Sequence, residues 1–150
     1  MHFRKAQQSD LPAIVRLLAD DELGSQRERF EDPLPVEYRE AFAEMEAQNG
    51  NYIVLAIEND AVIGCLQLMI IPGLARLGMK RAQIEGVRVD RSYRGKGVGE
   101  ALFQEAIALA KTAECGLVQL TTDKHRGDAH RFYERLGFTA SHEGMKLILK

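Results

Sequence analysis

Residues 87–106 read VRVDRSYRGKGVGEALFQEA. Gly95, Gly97 and Gly99 lie within five positions, beside Arg91, Arg94 and Lys96. An apolar strand, 82–89, leads into the stretch. A helix, 98–112, leads out of it with Val98, Leu102, Ala106 and Leu109 on one face. Glycine lets a backbone turn left-handed and approach a ligand closely. The first-turn N–H groups of a helix lack partners, and the helix dipole favours an anion there. The stretch therefore reads as a cradle for a pyrophosphate, with a plain strand-to-helix turn bearing solvated cations as the competing reading. Two common phosphate patterns do not fit. A P-loop needs Ser or Thr after its Gly-Lys, and Gly95-Lys96-Gly97 has neither. A dinucleotide fingerprint needs a third glycine where Glu100 stands. What is left is Arg94-x-x-Gly97-x-Gly99.

Outward from the loop, the pattern predicts a mixed α/β order. Phe3–Ala6 reads as a strand, and Ser9 caps a helix bearing Leu11, Ile14, Val15 and Leu18. Residues 20–33 read as a loop. Val36–Ala47 reads as a helix with Tyr38, Phe42 and Met45 on one face. Tyr52–Ile57 and Ala61–Ile71 form a hairpin about Asn59-Asp60. After the loop and its helix come a strand at Leu117–Thr122, a helix at Ala129–Leu136 stopped by Gly137, and a last strand at Met145–Leu149. This is a sheet with helices on its faces, without the regular alternation of a doubly wound fold.

Composition narrows the partners. The 150 residues carry a net charge of −2, so no global field draws in nucleic acid or an anionic membrane, and an anion site must be local. The opening MHFRKAQQSD lacks the apolar core of a signal peptide, and the most apolar stretch is broken by Pro72-Gly73. A cytoplasmic chain without membrane or nucleic-acid partners is expected. Cys65 and Cys115 read as small buried hydrophobes. His125 and His130 are five apart, outside the i, i+4 spacing of a helical metal site, so no metal is expected.

The stretch at 87–106 is similar to the acyl-CoA signature of the GNAT superfamily of N-acetyltransferases, Gln/Arg-x-x-Gly-x-Gly/Ala. AHRFYERLGF, residues 129–138, resembles that superfamily's second motif, in the expected order and at the expected distance. The resemblance implies one GNAT domain over 1–150, with a mostly antiparallel sheet splayed at the cofactor site and helices on both faces. It implies acetyl-CoA as cosubstrate. The amides of Arg94, Gly95, Lys96, Gly97, Val98 and Gly99 would hold its pyrophosphate. Val87, Arg88 and Val89 would line the pantetheine, with an N–H near Val87 as oxyanion donor.

In the same family, Glu85 would be the general base, usually through water, and Tyr133 would protonate the departing thiolate. Alternation puts Glu85 on the face of Val87 and Val89 unless a bulge at Gly86 shifts it. A strand-edge carboxylate is the plainer alternative for Glu85, and a core aromatic the plainer one for Tyr133. Where the family often has Asn, seven residues before the tyrosine, this chain has Arg126. Arg126 could bind a CoA phosphate or an acidic group on the substrate.

Residues 20–46 hold ten acids and three arginines. In the family this region walls the acceptor site, and an acidic wall would draw in a cationic amine. An alkylamine with a pKa of ~10.4 must lose its proton at a cost of about 4.6 kcal/mol at pH 7. The expected activity is transfer of an acetyl group to a primary amine of a small molecule. The alternatives are a protein or peptide acetyltransferase and a non-catalytic acyl-CoA-binding module. A homodimer is consistent with family habit.

Overall fold

The computed structural model describes residues 1–124 and 127–150. The chain runs through β1 (His2–Lys5), α1 (Leu11–Ala19), a short α2 (Gly24–Arg27) and α3 (Val36–Ala47) to β2 (Asn51–Glu58) and β3 (Ala61–Ile71). A single turn, α4 (Ala75–Gly78), leads to β4 (Arg81–Val89). Then come α5 (Val98–Thr112), β5 (Leu117–Gln119) and α6 (Gly127–Arg135). The five strands lie in sequence order, antiparallel from β1 to β4, with β5 parallel to β4.

β2 and β3 read as unbroken apolar runs because the sheet is covered on both sides. Val54, Ala56, Leu66 and Leu68 meet Leu102, Phe103 and Ala106 of α5 on one face. Leu55, Ile57 and Cys65 meet Leu11, Ile14 and Leu17 of α1 and Phe42 of α3 on the other. Gly64 has a packing reason. A Cβ there would lie 2.9 Å from Leu102 Cδ1 and 3.1 Å from the Arg88 carbonyl, so only glycine lets α5 seat this closely. The turn at Asn59-Asp60 has φ of 50° and 63°, as a two-residue hairpin of this twist requires.

β4 and β5 pair only over Arg81–Gln83 and Leu117–Gln119, then part. That parting opens the sheet at the end of β4 nearest the glycine loop.

α3 has the expected bounds and turns Tyr38, Phe42 and Met45 inward, with Phe42 fully buried and the other two half-buried. Three local expectations need correction. Residues 20–33 contain the turn of α2. The strand expected through Thr122 ends at Gln119, where its partner β4 diverges. Among the described residues, Met145–Leu149 makes no strand pairing.

The entry into α1 makes one stability prediction. Arg4 donates to both Asp10 oxygens at 2.8 and 2.9 Å, and the Gln7 amide donates to Oδ2 at 2.7 Å. The Arg4 hydrogen bonds foremost, with help from the Gln7 amide and against the opposing effect of burial, hold this carboxyl below its usual range. A depressed folded pKa stabilises in full above the unfolded value of ~3.9, and that stability is lost as pH falls through the folded value. Asp10→Asn is expected to cost about 1–3 kcal/mol at neutral pH. In urea melts its deficit against wild type should shrink below about pH 4; a deficit constant with pH would contradict this account.

Candidate functional site

Gly86 has φ of +60°, and the β3–β4 register slips at this point. Cys65 pairs with Arg88 and Gln67 with Glu85, so Leu66 alone faces both Gly86 and Val87. This is a β-bulge, and it re-aims every side chain beyond it. Val87 and Val89 pack toward the α5 face. Glu85 and Arg88 lie on the α1 face with Cys65 and Gln67, and the Glu85 side chain is exposed. Simple alternation would have put Glu85 beside Val87; the bulge separates them.

After β4 the chain turns through Arg91–Tyr93. Asp90 fixes this turn by accepting from the Ser92 amide at 2.9 Å and from Arg16 at 3.0 Å. The Ser92 amide chiefly, and then Arg16, hold the Asp90 carboxyl low. Gly95 and Gly97 follow at φ of 75° and 82°, and Gly97 stands directly before α5. A Cβ at either would meet nothing within 4 Å, so neighbours do not demand glycine there; the left-handed backbone does. At Gly99 a Cβ would make ordinary contacts with Val89 and Phe132, which agrees with a pattern that accepts Gly or Ala. The Gly97 carbonyl accepts the Ala101 amide at 3.0 Å, so α5 begins cleanly and presents its first-turn amides at the loop.

Three arginines border this loop, and the segment after α1 engages all of them. Arg91 bonds Asp20 at 2.8 Å, and Arg94 donates to the Asp20 carbonyl at 3.2 Å and the Val89 carbonyl at 3.3 Å. Arg88 Nε stands 3.1 Å from Asp21 Oδ2, as an ion pair off the line of a hydrogen bond. Asp21 also accepts the Gly24 amide. A cavity of about 590 Å³ lies among these groups, lined by Asp21, Glu22, Leu23, Val87, Arg88, Val89, Arg94 and Asp123.

Among the expected cofactor residues, Val87, Arg88, Val89 and Arg94 thus line one cavity, with the glycine loop beside it. Glu85 and Tyr133 are not among its lining residues. Tyr133 is half-buried in α6, with its ring 5.5 Å from those of Phe103 and Phe132 and 6.0 Å from Phe138. Arg126, expected to meet a phosphate, lies outside the described residues.

The acidic run at 20–46 has partners for several of its acids. Asp20 and Asp21 hold arginines, Glu28 accepts from the Tyr38 hydroxyl at 2.8 Å, and Glu31 pairs with Arg29 at 2.9 Å. Glu22 is the acid of this run, besides Asp21, that borders the cavity. Sequence reasoning missed Asp123 and Leu23. Asp123 reaches the cavity only because β5 runs parallel to β4, which brings the segment after β5 beside the parted strand.

Residues 12–138 match the acetyltransferase (GNAT) family. The fold superposes on a crystal structure of a transcriptional regulator from Bacillus halodurans with a TM-score of 0.95 and 48% identity, over 99% of both chains. An aminoalkylphosphonate N-acetyltransferase of Salmonella typhimurium is 31% identical over 70% of this chain and 68% of its own. A glucosamine 6-phosphate N-acetyltransferase of Trypanosoma brucei brucei is 38% identical over 59% of this chain, and the match spans 58% of that protein's length. The parted β4 and β5, the left-handed glycines before α5 and these matches agree: the chain belongs to the GNAT family of acetyltransferases.

Proposed function

We propose that this protein transfers an acetyl group from acetyl-CoA directly to a primary amine of a small molecule. The observation that carries the reading is the loop at the open end of the parted strands. Its glycines are left-handed and unobstructed, its helix amides are free of helical partners, and the β4 backbone beyond Gln83 has no β5 neighbour. These features fit acetyl-CoA. The amides from Arg94 to Gly99 would hold its pyrophosphate, and Val87 to Val89 would pair with its pantetheine arm. When bound, acetyl-CoA supplies a thioester carbonyl, and the Val87 amide would donate to the oxyanion that forms there.

Glu85 lies on the opposite face of the bulge from Val87, so as a base it would work through water. Tyr133 would return a proton to the thiolate. That transfer is uphill by about 2 kcal/mol from ordinary pKa values, so the site must stabilise the phenolate. Burial raises the Cys65 thiol to about 12, which leaves it a poor nucleophile and favours transfer without an acyl-enzyme.

For the acceptor, two matched relatives are named for glucosamine 6-phosphate and aminoalkylphosphonate, each an amine bearing a phosphorus oxyanion. Arg88 and Arg94 line the cavity and would face such a group, although each already has a partner in the segment after α1, as four acids of the 20–46 run also have partners. A CoA-release assay over aminoalkylphosphonates, amino-sugar phosphates, polyamines, aminoglycosides and a lysine peptide tests this, with turnover expected on the first two. Tyr133→Phe is expected to lower kcat by about 100-fold and leave the calorimetric affinity for acetyl-CoA unchanged; equal kcat across pH removes the acid role.

A second reading is a regulatory acyl-CoA-binding module, favoured by the name of the Bacillus halodurans relative. It predicts acetyl-CoA binding with no CoA release on any amine.

A further inference from the structure

We infer that Arg88 selects the acceptor: its guanidinium takes an oxyanion carried by the amine, a few bonds from the nitrogen that is acetylated, and Asp21 is the internal carboxylate that this oxyanion displaces. The inference rests on the acetyl-transfer reading above and adds to it a residue and a substrate shape.

The bulge at Gly86 lets one residue serve two molecules. Beyond it Val87 and Val89 pack toward the α5 face, while Arg88 lies on the α1 face with Glu85. The Arg88 backbone is thus left to the cofactor and its side chain to the other side of the strand. Two cations line the cavity. Arg94 opens the glycine loop and serves the pyrophosphate in the proposed reading, which leaves Arg88 without a role.

The Arg88 side chain is only 26% exposed, and a charge so far out of water needs a counter-charge. Asp21 supplies one carboxylate oxygen, 3.1 Å from Nε, yet Nε makes no hydrogen bond among the described residues. Nη1 donates to the Val87 carbonyl at 2.9 Å. A guanidinium carries five N–H donors in a planar fork that matches two oxygens of a phosphonate, phosphate or carboxylate. Here one donor makes a hydrogen bond within the described chain. Asp21 is therefore a poorly seated stand-in for an oxyanion. It also accepts the Gly24 amide, so it keeps a partner when it leaves Arg88. The exchange puts one anion in place of another on the same cation.

The Val87 contact sets the spacing. It pins the guanidinium against the residue whose amide is assigned to the thioester oxyanion. An amine poised at the thioester and an anion on Arg88 must then be joined by a short spacer. Glu22, which borders the same cavity, suits the ammonium end.

Kinetics of CoA release test this with aminoethylphosphonate, phosphoethanolamine and β-alanine against propylamine, which has no anion, and glucosamine 6-phosphate, whose anion is remote. Wild type is expected to favour the best of the first three over propylamine by at least about 30-fold in kcat/KM, and their order distinguishes phosphonate, phosphate and carboxylate. Arg88→Met should collapse that ratio to a few-fold, through KM. Arg88→Lys, a point charge without the fork, should restore only part of it. Asp21→Asn still accepts from Gly24 and should lower KM for the same amines several-fold, because the competing charge is gone. These two variants keep the test decisive should the methionine variant fail to fold. A ratio indifferent to Arg88 overturns the inference, as does a preference for glucosamine 6-phosphate over all three short amines. So does a KM that rises in Asp21→Asn, which would make Asp21 a contact of the amine. Calorimetry with aminoethylphosphonate in the presence of CoA reads the same contact without turnover. Binding that Arg88→Met abolishes, with no acetyl transfer to any amine, would keep the contact and remove the chemistry. Acetyl transfer with no preference for an oxyanion would keep the chemistry and remove the contact.

Discussion

Gly97→Asp is expected to weaken acetyl-CoA binding by at least about 100-fold, roughly 3 kcal/mol, while the protein stays folded. Gly97 has φ of 82° and stands immediately before α5. Asp and Asn tolerate a left-handed backbone better than other side chains, at about 1–2 kcal/mol of strain. A side chain there has space, since a Cβ meets nothing within 4 Å. The fold therefore survives. The carboxylate then occupies the spot where a pyrophosphate oxygen would sit and repels it. Gly97→Asn carries the same strain without the charge, so the difference between the two variants isolates electrostatics. Calorimetry with acetyl-CoA checks it. Equal losses in both variants would assign the effect to strain, and no loss in either would remove the loop from the cofactor site.

The loop was legible in sequence because its requirements are local. Positive φ selects glycine, and the amides that follow belong to the next turn of the same chain. The hairpin, α1 and α5 were legible for the same reason, through two-residue turn chemistry and helical spacing. What was illegible depends on residues far apart in the chain. The face of Glu85 turns on a bulge, and the bulge is a matter of β3 register: Leu66 opposing Gly86 and Val87 cannot be read from β4 alone. Asp20 and Asp21 read as part of an acidic wall, yet their partners, Arg91 and Arg88, come about seventy residues later. Met145–Leu149 reads as a last strand from its apolar residues, yet among the described residues it pairs with no strand; whether an extended segment finds a ladder partner depends on the rest of the sheet and not on its own pattern.

Those arginine contacts also bear on how the site is built. The segment after α1 grips β4 through Asp21 and the glycine loop's approach through Asp20. In the proposed reading it would tie the acceptor side to the donor side. If the loop holds the cofactor pyrophosphate as proposed, that anion would compete with the Asp20 carboxylate for Arg91 and with the Asp20 carbonyl for Arg94, both exposed, and the hold of this segment would then depend on occupancy.

Phe103→Ala is expected to be the most damaging single substitution to stability, at about 3–5 kcal/mol, or a fall in Tm on the order of 10 °C for a chain of this length. Phe103 is 1% exposed and among the largest fully buried side chains. Its ring meets those of Phe132, Tyr133 and Phe138 edge-on, with centroids 5.7, 5.5 and 6.1 Å away. The contact does more than fill volume. α6 has no buried residue of its own, and it joins the body through half-buried Phe132, Tyr133 and Leu136, with Phe138 just beyond. Removing Phe103 empties the seat of that helix. The amides of α6 should accordingly lose hydrogen-exchange protection ahead of those of β2 and β3. If Tyr133 is the proton donor, kcat should also fall at temperatures where the sheet is intact, because the phenol is no longer held. Phe103→Leu keeps most of the volume and should recover the larger part of both losses. Uniform loss of protection across α6 and the sheet would show that the helix is not docked through this ring, and a Tm within a few degrees of wild type would show that the cluster repacks without it.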